Sequence, residues 1–155
     1  MKKKDFIIAA VIPILVGVLA AILTRGGMMA FEIMNKPPLT PPAWLFPVVW
    51  TILYAMMGIA SYLVTVSGKD SLDIDEALLF YGLQLIFNFF WTIVFFGFGK
   101  YFAAFLVLAA LWLLIFHTIR LFDPISKKAA YLMVPYLIWV TFAGYLNLGV
   151  WWLNR

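Results

Sequence analysis

Five long apolar segments follow one another along the chain, separated by short polar stretches. They cover residues 6–23, 43–66, 77–98, 101–119 and 129–153. Each has about 18 or more residues, which at roughly 1.5 Å per residue is enough to cross a hydrocarbon core of about 30 Å. None shows the alternation expected of barrel strands, so only helices would satisfy their backbone groups in lipid. The pattern predicts an all-α integral membrane protein, a single domain built as a bundle of five transmembrane helices.

One connection, residues 24–42, is much longer than the others and is the only one large enough to cover the mouth of the bundle. Prolines cluster at its end. Because proline fixes φ, lacks an N–H and disfavours a helical residue before it, residues 35–40 are predicted to be stiff and extended. Proline is tolerated in a first helical turn, so Pro41 and Pro42 are predicted to begin the second helix. The connection is thus predicted to form a rigid lid that delivers three aromatic side chains to the helix mouth: Trp44, Trp50 and Tyr54.

The composition agrees with a membrane location. Hydrophobic residues make up 66% of the chain and charged residues 12%, against about half and about a quarter in soluble domains. The net charge of +4 is scattered without a basic cluster, so no nucleic-acid partner is expected. The start of the chain, with basic residues followed by an apolar run, resembles a secretory signal. The apolar run exceeds the usual signal core of about 7–15 residues, so we expect the first segment to remain as a helix.

The positive charges also predict an orientation. When the connections are assigned alternately to the two sides, seven of the eleven Lys and Arg residues fall on the side of the N-terminus. The excess of positive charge marks the cytoplasmic side. We therefore expect an integral protein of a bacterial cell membrane, with a cytoplasmic N-terminus and with residues 24–42 and the C-terminus outside.

Residues that usually carry polar catalysis are scarce in the five segments. Cysteine is absent and His117 is the one histidine, so no metal site is expected. We interpret His117 as an interfacial or packed residue, with axial ligation of a haem iron as the less favoured alternative. Asp and Glu residues lie in connections or at segment ends, so the spans lack paired carboxylates for hydrolysis or proton transfer. Any chemistry would depend on tryptophan, on the ligand or on light.

Three segments carry a helical stripe that combines aromatic rings with an amide or a hydroxyl. The second segment has Trp50, Tyr54, Met57 and Ser61; the third has Gln84, Asn88, Trp91 and Phe95; the fifth has Trp139, Phe142, Ala143 and Asn147. One interpretation is packing of helices through amides, with an aromatic belt at the interface. The other is an intramembrane pocket for a large, flat, apolar ligand, with rings for stacking and with Gln84 and Asn88 to orient the ligand.

Small residues recur along the segments. They include Gly17, Gly58 and Gly144, and they allow two helices to approach closely. Contacts within one bundle explain them most simply. The face of a homodimer is the alternative.

Three longer sequence blocks follow one another along the chain. The first contains Lys36-Pro37 and Pro41-Pro42-Ala43-Trp44, and continues to Trp50-Thr51-x-Leu53-Tyr54. The second is Gln84-Leu85-x-x-Asn88-x-x-Trp91 with Phe95-Phe96-Gly97, and the third is Pro135-Tyr136-Leu137-x-Trp139 with Phe142-Ala143 and Leu146-Asn147. In these blocks, and over essentially the whole chain, the sequence resembles the TspO/translocator protein family, also called the tryptophan-rich sensory protein or peripheral benzodiazepine receptor family.

This resemblance implies a five-helix bundle, often a dimer, with a pocket that opens toward residues 24–42 and binds porphyrins such as protoporphyrin IX. The pocket positions implied for this chain are Trp50, Tyr54, Asn88, Trp91, Trp139, Phe142 and Ala143. The segment 37–44, which includes Pro41, Pro42 and Trp44, would form the lid. We add Gln84 and Asn147 to the predicted ligand-binding residues because they share the helical stripes.

Two functional hypotheses follow. The first is a membrane receptor or transporter-like protein that binds tetrapyrroles, protoporphyrin IX or haem, with no required cofactor; its partners would be this flat ligand, the bilayer and a second copy of the chain. The alternative is an enzyme that degrades porphyrin with light and oxygen, as the resemblance to some bacterial members implies, with Trp50 and Trp139 as its reactive residues.

The sequence also departs from the family's pattern. Leu39 stands where many members have a tryptophan, and residues 29–31 stand where many have a Trp-Tyr pair. A proposed cholesterol pattern needs Lys or Arg within about five residues after a tyrosine. Since the first cation after Tyr145 is Arg155, cholesterol recognition through that pattern is not expected.

Overall fold

The structure is a computed structural model that describes residues 3–155. Regular structure in that range is helical: α1 (Lys3–Leu23), α2 (Arg25–Ile33), α3 (Leu45–Thr65), α4 (Ser71–Thr92, continued by a π-helical turn Ile93–Gly97), α5 (Tyr101–Phe122) and α6 (Lys127–Asn154). Five of these helices, all except α2, are long and apolar enough to cross a membrane. The predicted all-α membrane protein with five spans is confirmed.

The five long helices close into a ring. Helix α1 packs against α3, α3 against α6, α6 against α5, α5 against α4, and α4 meets α1 again. The short helix α2 lies against the π-helical turn at the end of α4. We call this end of the bundle, where α2 lies, α3 begins and α6 ends, the lid end.

The long helices expose apolar side chains around the outside of the ring, which suits a surface in contact with lipid. They differ in how much they bury. Helix α1 buries only Pro13 and Ala20, whereas α6 buries residues along its whole length: Ala129, Ala130, Met133, Tyr136, Val140, Ala143, Leu146, Asn147 and Val150. Helix α1 is therefore the most peripheral of the five spans.

The lid segment differs from the prediction in two ways. Residues 24–42 are not all loop, because Arg25–Ile33 forms α2. The ammonium group of Lys36 donates to the carbonyls of Phe31 (2.9 Å) and Glu32 (2.7 Å), and so satisfies the end of this helix. A hydropathy pattern misses a helix that is this short.

The prediction that Pro41 and Pro42 begin the second helix is wrong. The N–H of Leu45 donates to the carbonyl of Pro42 (3.0 Å), which makes a separate turn, and α3 begins only at Leu45. The proline in the first turn of α3 is instead Pro47, the third residue of the helix. The prediction that residues 35–40 are stiff and extended is confirmed only in part. The segment is not helical, but it turns at residues 38–39, where Leu39 has a φ of 69°.

Helix α4 begins six residues earlier than the apolar pattern predicted, at Ser71 instead of residue 77. The carboxylate of Asp70 accepts from the N–H of Leu72 (2.8 Å), and Asp73 lies in the first turn. Acidic side chains stabilise a helix N-terminus through its free N–H groups and its dipole. The acidic residues just before residue 77, where the apolar pattern placed a connection, thus mainly belong to the start of a helix.

Candidate binding cavity

A cavity of about 240 Å³ lies in the half of the bundle near the lid end. Residues of α1, α2, α3, α4 with its π-helical turn, and α6 line it. Its wall is mostly apolar and strongly aromatic, with these rings: Phe31, Phe46, Trp50, Tyr54, Trp91, Phe95, Phe96 and Trp139. Such a wall suits a flat, apolar ligand better than a polar one.

Trp50 is at the centre of this aromatic wall. Its ring stacks on Tyr54 with 5.5 Å between ring centroids and 29° between planes. Trp91 lies 6.1 Å from Trp50, and Trp139 lies 6.4 Å away at a right-angled 87°. These separations are those of favourable aromatic pairs, so the rings hold one another in place before any ligand arrives.

A chain of buried hydrogen bonds runs behind this wall. The hydroxyl of Tyr54 donates to Asn88 Oδ1 (3.0 Å), Asn88 Nδ2 donates to the hydroxyl of Tyr136 (2.7 Å), and Tyr136 donates to Gln84 Oε1 (2.7 Å). These four residues come from α3, α4 and α6. We call them the tyrosine–amide network. It satisfies polar groups that lipid could not satisfy, and it fixes Tyr54 with its hydroxyl turned into the bundle.

A second amide joins the other side of the wall. Trp91 Nε1 donates to Asn147 Oδ1 (2.9 Å), and Asn147 Nδ2 donates to the carbonyl of Tyr101 (2.7 Å). This residue links α4, α5 and α6. In contrast, the indole N–H of Trp139 is buried without a hydrogen-bond partner among the described residues.

The structure brings together half of the predicted ligand-binding set. The cavity is lined by Trp50, Tyr54, Trp91, Trp139, Ala143 and Asn147. The remaining predicted residues do not line it: Pro41, Pro42, Trp44, Gln84, Asn88 and Phe142.

Each residue in this second group has another environment. Gln84 and Asn88 are fully buried in the tyrosine–amide network, which fits the interpretation that amides pack the helices. Trp44 is 66% exposed before the start of α3. Phe142 packs against Trp139 with 5.7 Å between centroids and does not line the cavity. A direct contact of these residues with a ligand stays a prediction.

Sequence reasoning missed the wall that α1 and α2 provide. It consists of Ile14, Gly17, Val18, Ala20, Ala21, Thr24, Met28 and Phe31. Helix α1 is apolar on every side, so no periodicity shows which face is inward. The one available signal was the small residue Gly17, where a Cβ would overlap the ring of Tyr54.

The lid is attached to the end of α6 by polar and close contacts. The backbone N–H of Asn35 donates to Asn154 Oδ1 (3.2 Å), and Asn154 Nδ2 donates back to the carbonyl of Asn35 (2.7 Å). The hydroxyl of Tyr145 donates to the carbonyl of Pro38 (2.7 Å). A Cβ on Gly149 would lie 2.6 Å from the ring of Pro37, so only glycine permits this approach.

Helix α2 also packs closely against the π-helical turn. In that turn the N–H of Phe98 donates to the carbonyl of Ile93 (3.0 Å), five residues back. A Cβ on Gly27 would overlap the carbonyl group of Phe96. The lid end is therefore covered above the cavity.

Leu39 does not take part in this cover. It is 83% exposed and has a φ of 69°, a conformation that is strained for a leucine. His117 is equally remote: it is exposed near the far end of α5, and its ring packs against Phe80 with 4.4 Å between centroids. Helical geometry places His117 about 24 Å along α5 from Tyr101. Axial ligation of a haem in the cavity by His117 is therefore not supported.

These features define a class: an integral membrane protein with five helical spans, an aromatic cavity inside the bundle and a short helix over the cavity. The comparison with known families gives the particular family. The chain belongs to the TspO/MBR family, whose sequence model matches residues 9–153. The resemblance found in the three sequence blocks is confirmed.

The similarity between this chain and its individual relatives covers most of the chain. It is 41% identical to the tryptophan-rich protein TspO of Chlorobaculum tepidum over 124 residues, which is 80% of this chain and 78% of that protein. It is 38% identical to the protein CrtK of Rhodobacter capsulatus, covering 89% of this chain and 85% of that protein. The translocator protein of Bos taurus is 35% identical, over 93% of this chain and 86% of that protein.

Proposed function

We propose that this membrane protein is a receptor or transporter-like protein that binds tetrapyrroles in the aromatic cavity, with protoporphyrin IX as the first candidate and haem as the second. The observation that carries the proposal is the cluster of Trp50, Tyr54, Trp91 and Trp139 around one intramembrane cavity. Large flat macrocycles gain most from such surfaces, because stacking and apolar burial act together.

The names of the relatives support the receptor and transporter parts of this proposal. Relatives are called a tryptophan-rich sensory protein in Cereibacter sphaeroides and a translocator protein in Bos taurus. The tetrapyrrole itself comes from the family resemblance and from the chemistry of the wall. Because the wall offers rings but few free polar groups, it selects for shape and apolar area.

The size of the cavity adds a condition. Its volume of about 240 Å³ is below the range of about 300–1,000 Å³ for pockets that hold drug-sized ligands. A tetrapyrrole therefore requires the cavity to widen. The tyrosine–amide network resists this on one side, so we expect α1 and α2 to move on the other.

The alternative, a light-dependent enzyme that degrades porphyrin, gains no support from the described residues or from the names of the relatives. We do not adopt it. Illumination of the complex still separates the two functions, because a binding protein leaves the decay of porphyrin absorbance at the rate seen in empty membranes.

Titration tests the proposal. Protoporphyrin IX would be added to the protein in phosphatidylcholine nanodiscs, with the shift of the porphyrin absorbance as the readout, since removing tryptophans does not alter that signal directly. We expect saturable binding that Trp50→Ala and Trp139→Ala each weaken by about tenfold, equivalent to about 1.4 kcal/mol. Trp152→Ala is the matched control, since Trp152 is 57% exposed and outside the cavity. Equal affinities for all four proteins would remove the cavity assignment.

A further inference from the structure

The wall of the cavity is not closed on every side. Most lining residues are buried or half-buried, but four are exposed: Val18, Met28, Pro47 and Thr51. Val18 has 49% and Met28 37% of its surface exposed. These residues belong to α1, α2 and the first two turns of α3. The cavity therefore reaches the outer surface of the bundle between α1 and α3.

The packing of α1 against α3 explains this opening. In the half of the bundle away from the lid, the two helices touch through Gly58, where a Cβ would lie 2.5 Å from Ala10 Cα. In the half near the lid, the space between them is the cavity, because Val18 and Ala21 of α1 and Thr51 of α3 all line it. We call the gap bordered by Val18, Pro47 and Thr51 the lateral opening.

The side chains around the lateral opening are those of a lipid-facing surface. Leu15 and Ile22 of α1 are each 59% exposed, and Val48 and Ile52 of α3 are 48% and 55% exposed. All four lie within helices that are long and apolar enough to span the membrane. Thr51 is about 9 Å along the axis from the start of α3. The opening is therefore bordered by hydrocarbon-compatible groups.

The one hydroxyl at the lateral opening is already satisfied. Thr51 Oγ1 donates to the carbonyl of Pro47 (2.7 Å), one helical turn earlier. It leaves no free donor facing the lipid, so an apolar molecule meets no polar barrier there.

The cover at the lid end is held by several contacts. Above the cavity, Gly27 of α2 lies against the carbonyl of Phe96, and the lid is bonded to α6 through Asn35 with Asn154 and through Tyr145. Entry from above would require these contacts to break. Entry between α1 and α3 breaks none of these bonds, and it agrees with the expected movement of α1.

We infer that the cavity takes up its ligand from the bilayer, through the lateral opening between α1 and α3, and that the ligand is a planar apolar molecule already dissolved in lipid. This inference rests on the proposed function for the identity of the ligand. It adds the source of the ligand and the path that it follows.

Side chains that obstruct the opening provide the test. Thr51→Phe and Val18→Phe narrow it from its two sides. Leu19→Phe in α1 and Leu79→Phe in α4 are the controls, because Leu19 and Leu79 are 52% and 59% exposed and do not line the cavity. Each protein would be reconstituted in phosphatidylcholine–phosphatidylglycerol vesicles. Protoporphyrin IX, dissolved beforehand in protein-free vesicles of the same lipids, would be mixed in and followed by stopped-flow absorbance.

We expect Thr51→Phe and Val18→Phe to slow both association and dissociation by about tenfold, since a narrowed path hinders movement in both directions, whereas the loss of a wall contact would speed dissociation. The controls should match the original protein. Melting temperatures of all variants identify any that fail to fold, and the two obstructing variants, on different helices, serve as replacements for each other.

A locked lid gives the opposite test. The chain has no cysteine, so Asn35→Cys with Asn154→Cys can be joined by a bifunctional thiol reagent without side reactions. Because the lock holds only the segment after α2 and leaves α1 free to move, we expect the locked protein to bind protoporphyrin IX at the original rate. If the original protein binds saturably but the locked protein does not, the lateral route is wrong. The same holds if Thr51→Phe and Val18→Phe bind at the original rate. Either result would leave the proposed function intact. Complete lack of saturable binding by the original protein would overturn the proposed function, and the inference with it.

Discussion

The two walls of the cavity are built differently. The wall formed by α3, α4 and α6 is joined by the tyrosine–amide network and by the bond between Trp91 and Asn147. The wall formed by α1 and α2 has, over residues 3–155, no side-chain hydrogen bond to another helix, and it is held by close contacts at Gly17, Gly27 and Gly58.

This difference indicates how the cavity can change. Hydrogen bonds between membrane helices contribute about 0.6–2 kcal/mol each, and several in series fix the register of the helices. Contacts through small residues depend on shape, so they yield when a ligand fills the space. A ligand can thus widen the cavity on the α1–α2 side while the aromatic rings keep their positions.

The largest effect should come from the hydrogen-bonded wall. Asn88→Leu removes one partner from the hydroxyls of both Tyr54 and Tyr136. Buried groups without partners destabilise by about 1–3 kcal/mol each, so we expect a loss of about 2–4 kcal/mol, measured by thermal unfolding in detergent. Phe90→Leu is the control, since Phe90 is 53% exposed on the same helix. A loss no greater than that of the control would mean that the network does not hold this wall.

The packed wall should respond to volume instead. Gly58→Ala places a methyl group 2.5 Å from Ala10 Cα, and we expect it to destabilise the protein by about 1–3 kcal/mol through overpacking. Gly82→Ala in α4 meets nothing within 4 Å and should stabilise it by up to about 1 kcal/mol through helix propensity. Melting temperatures that move in the same direction for both would contradict close packing of α1 on α3.

The contact between the lid and α6 should contribute less. Tyr145→Phe removes the hydroxyl that donates to Pro38, and we expect a loss of about 0.5–1 kcal/mol because this bond is partly exposed to solvent. Tyr131→Phe is the control, since Tyr131 is 68% exposed in the same helix. Faster proteolysis of the lid in Tyr145→Phe alone provides the measurement; equal rates for the two variants would show that this bond does not hold the lid.

The smallest effect should come from Leu39. Its φ of 69° is disfavoured for L-residues by about 1–2 kcal/mol, and glycine removes that penalty but loses about 0.5–1 kcal/mol of chain entropy. Leu39→Gly should therefore raise stability by about 0.5 kcal/mol, while Leu39→Ala should not. Equal melting temperatures for these two variants would argue against the strained turn.

The hydrogen-bonded wall could be predicted from the sequence, but the packed wall could not. Trp50, Trp91 and Trp139 lie in stripes where polar and aromatic residues repeat with helical spacing, and the structure brings all three to the cavity. The same stripes left open whether Gln84 and Asn88 bond to other helices or orient a ligand, because a side chain's partner depends on how the helices pack.

The limits of the pattern also have physical causes at the helix ends. Asp70 and Lys36 complete helices with hydrogen bonds that hydropathy does not register, so α4 begins earlier than predicted and α2 was missed. Helix α1 gave no indication of an inward face, since its residues are apolar all round. The lateral opening between α1 and α3 is visible only once the two helices are placed together.

Hydrogen exchange in nanodiscs, with and without protoporphyrin IX, tests most directly whether the ligand lies between the two walls. We predict that the ligand increases protection in α2 (Arg25–Ile33) and in the adjoining end of α1, and leaves α5 unchanged. The outer groove between α5 and α6, lined by Phe105, Trp112 and Tyr145, provides the contrast. Protection that rises only around this groove, or nowhere, would contradict the account.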